Sequence, residues 1–142
     1  MMRGVTATTR ALLAEVVGTF FFFTIGAARI VNIKAGRVGG LREAKRIHDL
    51  CAAEGVPVWC GGMLETGIGR AHNVHLASLP NFRLPGDVSA SERYFETELI
   101  AEPFRLTPDG TIPVPRGPGI GVTVLEDTIR AIALERTELR PD

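Results

Sequence analysis

The sequence has little of what marks several common classes of binding protein. Basic and acidic residues number 16 each among 142 residues, so no excess charge attracts nucleic acid or an anionic membrane. One tryptophan and one tyrosine provide no array of rings on which bases could stack. The two cysteines, Cys51 and Cys60, are too far apart for a C-x-x-C metal or redox pair, and their scarcity favours a reducing compartment. We therefore expect an ordinary cytoplasmic globular protein that does not bind nucleic acid.

An apolar segment near the N-terminus does not match the rest of the chain. Residues 12–28 contain one charge, Glu15, and residues 20–23 are four consecutive phenylalanines. We interpret residues 1–28 as an apolar leader helix that can be unrelated in origin to residues 29–142. A membrane anchor and a secretory signal peptide stay open as alternatives. An anchor at residues 12–28 would make the protein membrane-associated.

Strands and helices alternate from residue 29 onward. Apolar and β-branched runs predict strands at 29–34, 57–60 and 82–84. Apolar residues at three- and four-residue steps predict amphipathic helices at 41–54, from 67 to Pro80, and at 128–137. This spacing of strands is typical of consecutive β/α units in a parallel sheet or (β/α)8 barrel, which needs about 250 residues when complete. The chain is long enough for only part of such a barrel.

A lysine stands at the end of the first predicted strand. Lys34 follows an apolar run and precedes a turn that contains Gly36, Gly39 and Gly40. In parallel α/β folds the chemistry is done at the carboxyl ends of strands, and a lysine there can act as an acid or a base. The competing interpretation is a lysine that ends a strand and points into water. The local pattern leaves both open.

The ends of the other two predicted strands offer further candidates. Gly61 and Gly62 either form a simple turn or let a ligand approach the backbone closely. Asp87 either forms an Asx turn or orients a lysine or a substrate. Glu65 is expected to pair with Arg70 across the start of the second helix rather than to do chemistry.

Four separated stretches carry distinctive motifs. They are VNIK-x-GRVGG at 31–40, VWCGGMLETGIGRAHN at 58–73, LPGD-x-SAS-x-RYF at 84–95 and DG-x-I-x-VP-x-GPGIGV at 109–122. In this order they resemble the o-succinylbenzoate synthase / N-succinylamino acid racemase branch of the enolase superfamily. The resemblance covers residues 28–139. It implies the sixth, seventh and eighth β/α units of a modified TIM barrel and a segment that returns to a capping domain.

The resemblance also implies a chemistry, that of an isomerase or lyase that removes a proton α to a carboxylate. A divalent metal, usually Mg²⁺, stabilises the enediolate in such enzymes. Lys34 matches the sixth-strand lysine, which exchanges a proton in racemisation and stabilises the enolate when o-succinylbenzoate forms. Gly62, Met63 and Leu64 are implied to line the acyl arm of the substrate, and Asp87 to complete the binding residues. The substrate would be an N-succinylamino acid or the precursor of o-succinylbenzoate.

The residues that hold the metal in this family have no counterpart in the sequence. The family places three carboxylate ligands and a second lysine on strands that precede the matching region, whereas the chain before Lys34 has one acidic residue, Glu15, and no lysine. His72 and His75 lie three residues apart, but no carboxylate or cysteine completes a site, so we assign no metal ligand. Ala35 stands where the family often has proline.

We therefore expect the C-terminal part of such an enzyme, inactive alone, with open barrel edges through which copies can self-associate. The alternative function is that of a membrane-tethered or interaction protein that uses residues 12–28 as its anchor.

Overall fold

The computed structural model describes residues 22–25 and 28–137. In chain order the regular elements are β1 (Phe22–Ile25), β2 (Ala28–Ile33), a 3-10 turn (Ala35–Arg37), α1 (Leu41–Ala53), β3 (Val58–Cys60), α2 (Gly67–Ala77), a second 3-10 turn (Ser91–Arg93) and α3 (Glu126–Ile132). The sheet has the order β1-β2-β3, in which β1 runs antiparallel to β2 and β2 runs parallel to β3. The prediction of an α/β chain built from consecutive β/α units is confirmed.

The core lies between one face of the sheet and the helices. Val31 and Ile33 of β2 are buried in this core. Because side chains alternate across a strand, Asn32 and Lys34 lie on the opposite face. The helix α1 contributes four buried residues at three- and four-residue steps, Ala44, Ile47, His48 and Cys51. The alternation in β2 therefore directs Lys34 away from the core.

The third predicted strand is present only as isolated contacts. Phe82 forms a parallel bridge with Val58, and Asp87 forms one with Gly61. Between them stands Pro85, which has no N–H to donate to a ladder. The strand predicted at 82–84 is therefore wrong as a continuous element, although the segment does lie beside β3 in parallel orientation.

The last helix begins earlier and ends earlier than predicted. It spans Glu126–Ile132 instead of 128–137. Glu126 and Asp127 occupy its first turn, where negative charge interacts favourably with the helix dipole. The apolar side chain of Leu134 is fully exposed, so no packing supports a further turn.

The predicted leader helix lies mostly outside the described residues. Its described part is Phe22–Ile25, a strand that pairs with Ala28–Ile33, and Ala28, the first residue of that second strand, so the helix does not extend over these residues. Within 22–25 and 28–137, no helix is both long and apolar enough to cross a bilayer. The anchor proposed for residues 12–28 remains a prediction.

Candidate active site

Three of the predicted site residues meet at the carboxyl edge of the sheet. Lys34 follows β2 directly, and its Nζ donates a hydrogen bond of 2.6 Å to the carbonyl oxygen of Gly62, two residues after β3. The Gly62 N–H donates to the carbonyl oxygen of Asp87 at 2.8 Å, and the Asp87 N–H donates to that of Cys60 at 2.8 Å. The structure thus joins the lysine to the ends of the next two parallel segments.

Other atoms approach both glycines after β3 closely, side chains at Gly61 and backbone at Gly62. A Cβ placed on Gly61 would lie 2.5 Å from Asn32 Oδ1 and 2.8 Å from Lys34 Nζ. A Cβ on Gly62 would collide with the backbone carbonyl oxygen of Asp87. Gly61 and Gly62 therefore allow the lysine side chain and a neighbouring backbone to lie against this turn.

Asn32 is a site residue that the sequence analysis missed. Its Oδ1 is buried and has no hydrogen-bond partner among the described residues. It lies on the same face of β2 as Lys34, and both side chains approach Gly61. The sequence does contain a signal for Asn32. It lies two residues before Lys34, a spacing that places an amide and an amine on the same face of a strand.

The residues after Gly62 line a groove. Met63 is 41% exposed and Leu64 is 71% exposed. They border a groove of about 710 Å³ whose other lining residues are Ala35, Gly36, Gly40, Leu41, Glu65, Gly69, His72 and Asn73. Neither Lys34 nor Gly62 lines this groove, although their chain neighbours Ala35 and Met63 do. Asp87 is exposed and contributes its backbone, not a lining side chain.

The predicted ion pair between Glu65 and Arg70 is wrong. Arg70 is 1% exposed, and its Nη1 lies 2.9 Å from Oε1 of Glu98. Only the backbone carbonyl of Glu65 accepts a hydrogen bond from Arg70, at 3.0 Å. The carboxylate of Glu65 instead accepts from the N–H of Met63 at 2.7 Å and from Nδ2 of Asn73 at 2.8 Å.

Glu98 ties the start of α2 to the returning C-terminal segment. Its Oε2 accepts from the N–H of Gly67 at 2.7 Å and from that of Leu99 at 3.3 Å. Burial raises the pKa of the Glu98 carboxyl, but the Ser91 hydroxyl, these two N–H groups and the Arg70 charge outweigh burial and hold the pKa below its ordinary value. The charged form of Glu98 is therefore the one that the fold stabilises.

The described residues do not by themselves fit a divalent metal. Nδ1 of His72 donates to the carbonyl of Ile68 at 2.8 Å, and Nε2 of His75 donates to that of Ile120 at 3.1 Å. In the described ranges, no three His, Cys, Asp or Glu side chains lie close enough together to hold a metal ion. Hard divalent cations need several oxygen ligands, which this edge of the sheet does not bring together.

Comparison with known proteins gives concordant matches. Residues 14–128 match the model of the enolase C-terminal domain-like family, a range that begins inside the segment interpreted as a leader. An N-succinylamino acid racemase of Amycolatopsis is 63% identical over 105 residues, which cover 74% of this chain and 28% of the racemase. An o-succinylbenzoate synthase of Geobacillus kaustophilus is 60% identical over 100 residues, covering 70% of this chain and 26% of the synthase. The chain thus spans about a quarter of the length of these relatives.

A solved structure agrees with these matches. The crystal structure of a member of the enolase superfamily from Enterococcus faecalis superimposes with a TM-score of 0.67 at 48% identity, over 72% of this chain and 27% of that one. The predicted partial barrel of the enolase type and the predicted resemblance are both confirmed. The chain belongs to the enolase C-terminal domain-like family.

Proposed function

We propose that Lys34 is the amine that acts at the α-carbon of a small carboxylate in an active site of the o-succinylbenzoate synthase / N-succinylamino acid racemase type. The observation that carries the proposal is the position of its Nζ, held 2.6 Å from the carbonyl of Gly62 at the carboxyl edge of parallel strands. Relatives with these two names are 63% and 60% identical over 105 and 100 residues of the chain.

The hydrogen bond to Gly62 fits both roles that the reaction class needs from a lysine. As an ammonium group, Lys34 has three N–H donors, of which Gly62 takes one. Within the described part of the chain the others have no acceptor, so they can stabilise negative charge that develops on an enolate. As a neutral amine, the same nitrogen can accept the α-proton through its lone pair while one of its N–H groups still donates to the Gly62 carbonyl.

We assign the acyl arm of the substrate to the groove beside this turn. Met63 and Leu64 present exposed apolar surface to the groove, which suits the methylene groups of a succinyl chain. Asp87 fixes Gly62 through its backbone, and its exposed side chain is the one that we propose to orient a polar group of the substrate. N-succinylamino acids and the precursor of o-succinylbenzoate are the substrates that we propose.

The proposal gives this chain no metal site. Enzymes of the enolase superfamily generally use a divalent metal, but the described residues provide no cluster that fits one. We therefore derive no step through a metal, and we propose that the chain becomes active only with carboxylates and a second lysine from outside the described residues. We propose a cytoplasmic location for it.

Hydrogen–deuterium exchange at the α-carbon of an N-succinylamino acid tests the proposal. The chain is mixed, in D₂O with Mg²⁺, with an Amycolatopsis racemase from which the matching quarter has been removed. Exchange is expected in the mixture, not with the isolated chain, and is expected to be lost in Lys34→Ala. Lys45→Ala is the control, because Lys45 lies on the surface of α1 in an ion pair with Asp49.

The racemase's own missing segment, added in place of this chain, verifies that the truncated partner can be complemented. If that segment restores exchange and this chain does not, the proposal is wrong. Exchange that survives in Lys34→Ala would equally exclude Lys34 from the assigned role.

A further inference from the structure

We propose that Glu65 is a positioning residue that sets the direction of Lys34 by fixing the peptide group between Gly62 and Met63. The inference deepens the proposed function, on whose assignment of Lys34 it rests. It concerns a carboxylate that borders the groove assigned to the acyl arm and whose oxygens bond, among the described residues, to Met63 and Asn73 and not to the lysine.

The geometry places opposite charges at the two ends of one peptide group. Its carbonyl oxygen, from Gly62, accepts from the Lys34 ammonium at 2.6 Å. Its N–H, from Met63, donates to Oε2 of Glu65 at 2.7 Å. Because the C=O and N–H of a trans peptide are coplanar and point in opposite directions, the two bonds together fix the rotation of the group. Both bonds are charge-assisted, and each polarises the peptide in the sense that strengthens the other.

The carboxylate that holds this peptide is itself held by a rigid element. Oε1 of Glu65 accepts from Nδ2 of Asn73, a residue of α2 that is only 3% exposed. The backbone carbonyl of Glu65 accepts from the buried guanidinium of Arg70. Glu65 therefore transmits the position of α2 to the turn.

The other backbone bond at this turn, from the Gly62 N–H to the Asp87 carbonyl, holds the preceding peptide group and not the one between Gly62 and Met63. Met63 and Leu64 are exposed and contribute little packing. Gly62 can adopt backbone conformations that other residues avoid, which makes a rotation of the peptide inexpensive. Such a rotation would remove the acceptor from Lys34. The Glu65 carboxylate is thus the group that keeps the carbonyl directed at the amine.

Acetylation of lysines in the folded chain measures this positioning directly. The chain has two lysines, Lys34 and Lys45, so each is followed as one peptide by mass spectrometry. Lys45, with 60% of its side chain exposed, serves as an internal standard. We expect Lys34 to react more slowly than Lys45, and Glu65→Ala to accelerate Lys34 about tenfold, the order that one charge-assisted hydrogen bond contributes. Glu65→Gln should give a smaller acceleration, because one amide oxygen can still accept from Met63.

Glu102→Ala is the matched control. The Glu102 carboxylate also accepts from a backbone N–H, that of Thr123 at 2.8 Å, but it lies in the returning segment. Its removal should leave the ratio of Lys34 to Lys45 acetylation unchanged. Protection of the buried thiols of Cys51 and Cys60 from alkylation verifies that each variant is folded.

An unchanged ratio in Glu65→Ala with protected thiols would overturn the inference. If the thiols of that variant react, Glu65→Gln and Asn73→Ser are judged by the same criterion. The outcome is separable from that of the exchange assay. If Glu65→Ala does not change the acetylation ratio, the role of Lys34 at the α-carbon is unaffected. If no deuterium exchange is seen, the acetylation result still tells whether Glu65 positions Lys34.

Discussion

Replacement of Glu98 by glutamine should destabilise the protein strongly, because it leaves a buried guanidinium without its counter-ion. Arg70 is 1% exposed and the Glu98 side chain is 11% exposed. Removing one partner of a buried ion pair typically costs about 3–5 kcal/mol. Glutamine keeps the size of the side chain and one acceptor, but its NH₂ group must face the N–H of either Arg70 or Gly67. We expect a loss of about 3 kcal/mol in the free energy of unfolding at pH 7.

Urea unfolding followed by the fluorescence of Trp59, the single tryptophan, measures this loss. A cost of about 3 kcal/mol should lower the midpoint by about 1 M urea or more. The folded state lowers the pKa of Glu98 below its ordinary 4.5, so the contribution of its charge is complete above about pH 4.5 and is lost as the pH falls through the lowered value. The difference between wild type and Glu98→Gln should therefore be constant near neutral pH and shrink in acid.

Two further variants make the reasoning refutable. Glu102→Gln changes an exposed carboxylate that also accepts backbone and side-chain hydrogen bonds, and it should have a much smaller effect. The double variant Arg70→Met/Glu98→Leu removes both charges and should recover much of the lost stability. A Glu98→Gln protein within about 0.5 kcal/mol of wild type at pH 7, or a difference that persists undiminished at low pH, would refute the argument.

Two other predictions concern the edge of the sheet and the core. Gly62→Ala should lower the melting temperature by about 5 °C or more, because its Cβ would collide with the Asp87 carbonyl. Gly36→Ala, where a Cβ meets nothing within 4 Å, should change it little, and circular dichroism that ranked the two alike would contradict this. Burial raises the pKa of Cys51 to about 11 and that of Cys60 to about 12, so iodoacetamide at pH 8 should alkylate both at least about a hundredfold more slowly in the folded chain than in urea. Equal rates by mass spectrometry would show that the thiols are not buried.

Local periodicity predicted the elements whose stability depends on one buried face. The helix expected at 41–54 is found at Leu41–Ala53, and the strand expected at 57–60 is found at Val58–Cys60. The helix has apolar residues at three- and four-residue steps and the strand is a short apolar run, and both patterns are visible within a dozen positions. The third strand would have to bond to β3 across Pro85, which has no N–H to donate, so only the isolated bridges at Phe82 and Asp87 form.

The candidate site also has a part that the sequence predicted and a part that it did not. The motifs placed Lys34, Gly62 and Asp87 at successive strand ends, and the structure brings these ends together. The partner of Arg70 could not be read from the sequence, because Glu98 is 28 residues away whereas Glu65 is close by. Local spacing favours the near carboxylate, but the fold satisfies the buried guanidinium with the distant one.

The antiparallel strand β1 alters how a barrel could be completed around this chain. In a closed parallel barrel each strand has parallel neighbours on both sides. Here Phe22–Ile25 already bonds to the outer side of β2, in the register that pairs Phe23 with Ile30. A complementing polypeptide would have to displace β1 before its own strand could pair with this edge of β2. Reconstitution would then be a strand-exchange reaction, in which the four residues of β1 leave β2 before the new strand pairs there.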